Sequence, residues 1–273
     1  MKIISGAPCG FYCFLTWHVL RNLRKWKEIE KENVHIYLPQ SYNLYWDMVK
    51  GPNVWEYFYE QIDPRIGNED ILSERNMPDL YLYEGKNIRE TLGIIYKKYV
   101  KYNKTTQRIV DNFVKKLDGY SILGVHIRKT DKYNEDPESY PIEDQDVLNV
   151  VNKTLSEGTY DKIYLATDDQ DTYNLFLKEY GDLLIPTTRI RGAGHNSVHH
   201  HMKNQSGYIK GLDAILDMEA LSRTKFLVRC TSNLSATSMV LNQELECYNL
   251  NGIFRNDKRE EESFNIYAKL YKK

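Results

Sequence analysis

The chain has 273 residues, 41% of them hydrophobic and 27% charged, with a formal net charge of −1. That length exceeds one small core and fits two modest α/β domains. The near-neutral charge leaves no basic excess for nucleic acid. The apolar run Phe11 to Leu20 contains His18 and falls far short of the ~20 residues that a membrane span needs. Met1 to Ser5 reads as a strand that starts the fold at once, so the expectation is a soluble, cytoplasmic chain without a membrane span. Cys9, Cys13, Cys230 and Cys247 match no zinc spacing and are expected as free thiols, although Cys9 and Cys13 could bridge in an oxidising compartment. The 22 Tyr residues could stack on sugar rings, but core and surface positions account for most of them.

Lys2 to Ser5 predicts a short strand, and Gly6 to Gly10 a turn-rich loop. An amphipathic helix should follow from Phe11 to about Ile29, with Phe14, Leu15, Val19, Leu23 and Trp26 inward. Strand, small-residue loop, helix is an arrangement that lets backbone N–H groups approach a phosphate. The loop is neither a P-loop nor G-x-G-x-x-G. Val34 to Leu38 reads as a second strand, stopped by Pro39, and Tyr45 to Tyr59 as a helix or a loop over the core. Leu80 to Tyr83 reads as a further short strand. Asn87 to Leu117 predicts two helices, and a domain boundary falls near Asp118-Gly119.

The second half alternates strand and helix. Strands are expected at Ser121–Ile127, Lys162–Ala166, Leu183–Ile185, Phe226–Arg229 and Glu246–Leu250. Helices are expected at Ile142–Leu155, Asp171–Tyr180, Tyr208–Thr224 and Leu234–Asn242, with Thr167 or Asp168 capping the second. A final helix is expected from Asn256 to Lys273, in a position to cross back to the first domain. Such alternation argues for a doubly wound parallel sheet.

Polar clusters fall at successive strand ends: His126/Arg128/Asp131, Thr167/Asp168/Asp169 and Thr231/Ser232/Asn233. In an open α/β sheet, ligands bind at the carboxyl ends of the strands, so the three clusters should converge on one crevice. Arg128 suits a diphosphate because its fork engages two oxygens at once. Asp168 and Asp169 serve equally well as helix caps. The hydroxyls of 231–233 could cap a helix or hold an anion at its N-terminus. Asp213 and Asp217 stand four apart on a helix whose apolar side carries Ile209, Leu212, Ile215 and Leu216. The loop Glu135-Asp-Pro-Glu138 places carboxylates close to the cationic cluster, where a general base would have to be. His195, His199, His200 and His201 look like a metal cluster, but adjacent His residues in a regular element do not converge on one ion, and no metal is expected.

These residues resemble the α1,6-fucosyltransferase family, which includes core-fucosylating and nodulation fucosyltransferases and is related to protein O-fucosyltransferases. His126-Ile-Arg-Lys-Thr-Asp-Lys132 is similar to the family's H-V-R-R-T-D-K motif, with Pro141-Ile-Glu143 at the family's spacing. Tyr164-Leu-Ala-Thr-Asp-Asp169 resembles its Y-L-A-T-D-D block, and Ala193-Gly-His-Asn196 a loop block. Leu216-Asp217, Phe226-Leu-Val228 and the Ser232 region match the last block, and Cys9-Gly-Phe-Tyr-Cys13 resembles C-G-x-G-C without its second Gly. No resemblance extends over about residues 30 to 115.

The resemblance implies a GT-B-like fold of two Rossmann-like domains, 1–117 on the acceptor side and 118–255 for the nucleotide sugar, with 256–273 packing back on the first. It implies metal-independent, inverting transfer of a sugar to a glycan acceptor, with GDP-fucose as donor and no cofactor. By resemblance Arg128 would hold the β-phosphate, and His126 and Asp217 the nucleoside. Gly10, Asp169, Ser232 and Asn233 would line the donor site. Two departures stand out. Lys129 occupies the place of the family's second Arg and loses its bidentate fork. The family's base is a Glu, and ungapped spacing places Asp136 there, with Glu135 beside it as the substitute. The same scaffold also suits another donor, such as UDP-xylose building a surface or viral glycan. A non-catalytic nucleotide-sugar or glycan-binding module is the reading from outside the enzymes.

Overall fold

An uninterrupted apolar run demands burial on both faces, and β3 (Ile122–Ile127) is buried at every position. It lies between β4 (Lys162–Thr167) and β5 (Phe226–Arg229), and β6 (Cys247–Asn249) extends the sheet beyond β5. All pairs are parallel, in the order β4-β3-β5-β6. The chain leaves β3 for one side, then crosses back to the other. The pairings Ile127↔Thr167 and His126↔Arg229 bring the three carboxyl ends level at that reversal. The coordinates are a computed structural model that describes residues 2–4, 9–25, 33–39, 44–63, 88–130, 132, 142–194, 198 and 205–271.

Period-two alternation splits the core. Leu123, Val125, Ile127, Leu165 and Val228 pack under α5 (Asp144–Glu157) and α6 (Gln170–Tyr180). Ile122, Tyr164, Ala166 and Leu227 face α7 (Gly207–Leu221) and α8 (Asn233–Leu241). Gly124 is needed for this close approach: a Cβ there would stand 2.7 Å from Thr224 Oγ1.

In the first half β1 (Lys2–Ile4) pairs in parallel with β2 (Val34–Ile36). Between them α1 (Phe11–Cys13) runs through a π-helical stretch, Phe14–Leu20, into α2 (Arg21–Lys25). Thr16 Oγ1 and Asn22 Nδ2 donate back to the carbonyls of Tyr12 and His18, a habit that loosens a helical ladder. Phe14, Leu15, Val19 and Leu23 are buried as their spacing predicts, while Trp26 and the expected helix end near Ile29 lie outside the described residues. The ambiguous stretch 45–59 resolves as loop with one 3-10 turn, Val54–Tyr57, whose cap Asn53 accepts from Trp55 N. The two expected helices are α3 (Ile88–Tyr99) and α4 (Lys104–Val114). The expected strand at Leu80–Tyr83 lies outside the described residues. One hydrophobic cluster runs from Phe11 through Leu117 into the α7/α8 face of the sheet.

Three expectations are corrected. Leu183–Ile185 is not a strand: Leu184 makes a single parallel bridge to Ile163, after a 3-10 turn at Gly181–Leu183. The cap of α6 is Asp169, not Thr167 or Asp168. The C-terminal segment is not one helix. Asn249 caps α9 (Leu250–Arg255), and α10 (Arg259–Phe264) ends at Asn265, whose φ of 52° breaks it. The chain then runs beside β6, where Lys269 N donates to Cys247 O at 2.9 Å. α10 packs back on the first half, with Phe264 5.4 Å from the Trp17 ring. No disulfide joins Cys9, Cys13, Cys230 or Cys247 to another of the described residues. Among the described residues no helix is long and apolar enough to cross a membrane.

Candidate nucleotide-sugar site

A cavity of about 850 Å³ opens where β3, β4 and β5 end. His126 and Arg128 enter it from β3, Thr167 and Asp168 from β4, and Thr231, Ser232 and Asn233 from the turn after β5. One face of α7 forms a wall with Lys210, Asp213, Ala214 and Asp217, the three- and four-residue spacing of a single helical stripe. Gly10 and Trp17 close it from the first half, and Glu260 and Phe264 from α10. Members of all three strand-end clusters thus share one cavity, whereas Asp169 does not line it and Asp131 lies outside the described residues.

Arg128 is held by Asp168, with Nη1 3.3 Å from Oδ2. The same carboxylate accepts from Lys129 N at 2.9 Å and from the buried Thr130 hydroxyl, so it fixes the turn that aims Arg128. Lys129 takes another course: its Nζ pairs with Asp144 in the first turn of α5, and it does not line the cavity. Asp169, expected beside the donor, is also engaged elsewhere. It is buried and accepts from Thr172 N at 2.8 Å and Thr172 Oγ1 at 2.7 Å, because the first turn of α6 needs an acceptor.

His126 is buried, and its Nδ1 has no hydrogen-bond partner among the described residues. Burial first, then Arg229 and Arg128, push its pKa down to about 3, so the ring is a neutral partner and not a cation.

Asp217 accepts from Tyr164 Oη at 2.6 Å and from Arg189 Nε at 2.8 Å. Arg189 also donates to Tyr164 Oη at 3.1 Å, lies 3.5 Å from Asp213 Oδ1 and sits 5.0 Å from the Phe113 ring centroid. Burial pulls its pKa down, but Asp217 and Tyr164 more than offset that and hold the guanidinium charged. Burial raises Asp213 to about 6, against the backbone N–H of Ile190 and Arg189. The wall thus offers a fork of N–H donors set between carboxylate acceptors.

At the mouth of α8, Ser232 N donates to Glu260 Oε1 at 3.0 Å, and Asn233 Oδ1 accepts from Trp17 Nε1 at 2.9 Å. Glu260 also grips the fully buried Arg229 through both oxygens. Burial lowers the pKa of Arg229, but Glu260 outweighs it and keeps the group charged.

Gly10, His126, Arg128, Asp217, Ser232 and Asn233 share the cavity; Lys129 and Asp169 do not line it. Glu135, Asp136, His195, His199, His200 and His201 lie outside the described residues. Among the described residues no three metal-ligating side chains come together. Sequence reasoning missed Arg189, Lys210 and Glu260. The 210/213/217 spacing was a usable signal for Lys210, whereas Arg189 and Glu260 reach the site from segments with no periodicity of their own.

The sequence matches the model of the family Nodulation protein Z (NodZ) over residues 87–259, well over half of the chain. The chain belongs to the NodZ family. Curated protein sequences yield no match. Solved structures of NodZ share its fold. NodZ α-1,6-fucosyltransferase soaked with GDP-fucose is 16% identical, with a TM-score of 0.58 over 88% of this chain and 92% of that one. The same enzyme co-crystallised with GDP gives 0.56 at 16% identity over the same shares. Fucosyltransferase NodZ from Bradyrhizobium gives 0.56 at 15% identity, again over 88% and 92%. The α/β, parallel-sheet architecture of this NodZ-family chain is thus that of its solved relatives.

Proposed function

We propose that this chain is an inverting, metal-independent glycosyltransferase that moves fucose from GDP-fucose to a hydroxyl of a glycan acceptor. The observation that carries the reading is the cavity at the sheet's reversal, which Arg128 shares with the Asp213 and Asp217 carboxylates of α7 and the Arg189 guanidinium beside them, in a NodZ-family fold. In this reading residues 118–255 hold the donor and residues 1–117 present the acceptor. The four unbridged cysteines fit a reducing compartment such as the cytoplasm.

The nucleoside lies along α7 against Asp217 and neutral His126, and the diphosphate lies at Arg128 and the Ser232–Asn233 end of α8. Asp136, with Glu135 as substitute, takes the proton of the acceptor hydroxyl. The hydroxyl oxygen bonds to the anomeric carbon on the face opposite GDP as the bond from that carbon to phosphate oxygen breaks. The electron pair leaves on GDP, and Arg128 stabilises the charge that develops there. A cation supplied by the protein does the work that a divalent metal would otherwise do.

The test follows GDP release from GDP-fucose over an array of immobilised oligosaccharides, with and without EDTA. Turnover should be insensitive to EDTA. Arg128→Ala should abolish GDP binding, and Asp136→Ala should keep binding and stop transfer. Full turnover by Asp136→Ala would remove it as base and direct the same test to Glu135→Ala. Loss of activity in EDTA would overturn metal independence. Turnover of a UDP-sugar in place of GDP-fucose would keep the scaffold and replace the donor.

A further inference from the structure

A positive charge is hard to keep in three situations: buried, without a partner, and in the first turn of a helix, where the macrodipole already places positive potential. Lys210 meets all three. It is 6% exposed, stands in the first turn of α7 with Ser206 as N-cap, and lines the cavity. Its side chain has no hydrogen bond or ion pair among the described residues. Burial lowers its pKa, the response expected of an ammonium without a counter-charge. The other cavity cations are engaged: Arg128 with Asp168, Arg189 with Asp217 and Arg259 with Asp257, and Lys132 is not without a partner.

A bound anion relieves all three penalties at once. The diphosphate of a nucleotide sugar carries two negative charges; of the strand-end motif's basic side chains Arg128 and Lys132 line the cavity, Lys129 is drawn off to Asp144, and Lys132 has an interaction of its own. Lys210 lies seven residues before Asp217 on the same stripe, about 10 Å along the helix axis. With the base at Asp217, one ribose bridges a distance of that order to the diphosphate. Resting on the reading above, we infer that Lys210 is a cation of the donor diphosphate, clamping it from α7 while Arg128 holds it from β3.

The test is calorimetric binding of GDP and guanosine to the wild-type chain, Lys210→Met and Lys210→Arg. Lys210→Met should lose GDP affinity at least tenfold, hold guanosine within twofold of wild type, and melt at or above the wild-type midpoint without ligand. Lys210→Arg should recover most of the GDP affinity. Binding of GDP by Lys210→Met within twofold of wild type would overturn the assignment. Equal losses for GDP and guanosine would do so too, since they would mark a structural role. If the wild-type chain prefers UDP, the same series is run with UDP and uridine. A wild-type chain that binds neither diphosphate would overturn the glycosyltransferase reading, and this inference with it.

Discussion

Removing the carboxylate of Glu260 should cost the fold more than any other single charge change at the cavity. Glu260 is 5% exposed, and it accepts from both terminal guanidinium nitrogens of Arg229, Nη1 and Nη2; Arg229 is 0% exposed. Glu260→Leu strands a fully buried guanidinium that keeps only neutral partners, among them Ser235 Oγ at 2.9 Å, Ser232 O at 3.3 Å and the Cys247 thiol. It also takes the acceptor from Ser232 N. Breaking one side of a buried pair destabilises by about 3–5 kcal/mol. At roughly 2–4 °C per kcal/mol for a chain of this size class, the thermal midpoint should fall by about 6–20 °C. Urea unfolding followed by circular dichroism is the assay, and the midpoint should drop with the slope unchanged. The double variant Arg229→Met/Glu260→Leu should recover most of the loss, because apolar replacement of a whole buried pair is often neutral. A loss below about 1 kcal/mol for Glu260→Leu would refute the reasoning, since that is the range of an exposed pair.

Other expectations follow from the same geometry. Asp213 has a folded pKa of about 6 against an ordinary 3.8, so the folded state binds its proton more tightly than the unfolded state does. The stabilisation from that proton is present below about pH 4 and lost as pH rises through about 6. Asp213→Asn should therefore match wild type in urea at pH 3.5 and exceed it by about 2–3 kcal/mol at pH 8; an equal offset at both pH values would contradict this. Asp169→Ala removes the acceptor of Thr172 N and Oγ1, and should lower stability by about 1–2 kcal/mol. A loss of that size without a change in GDP affinity would identify Asp169 as a cap.

What could be read from the sequence was what burial and periodicity write into it. Ile122–Ile127 was recognisable because a strand covered on both faces has no room for polar alternation. Asp217 came from the resemblance alone; Ser232 came from it too, and the strand-end rule placed the Thr231–Asn233 segment at the crevice. Asp168 and Asp169 could not be separated, because capping and ligand binding ask for the same side chain; geometry gave the cap to Asp169 and the cavity to Asp168. The role of Lys129 was decided by Asp144, fifteen residues away, which no local pattern reports. The π-helical turn of Phe14–Leu20 keeps the apolar spacing of an ordinary helix closely enough that hydrophobicity alone does not reveal it. Glu260 lies in a charged run, Lys258 to Glu262, that reads as solvated until Arg229 is seen beneath it.

The most direct measurement is a thermal-shift series of the wild-type chain with GDP, UDP, CDP and ADP. A ligand that binds only the folded state adds about 2.7 kcal/mol of stability at a hundred times its dissociation constant. GDP should raise the midpoint clearly above the other three. Stabilisation by UDP alone would contradict the donor assignment, and no shift with any of the four would contradict the nucleotide-sugar site itself.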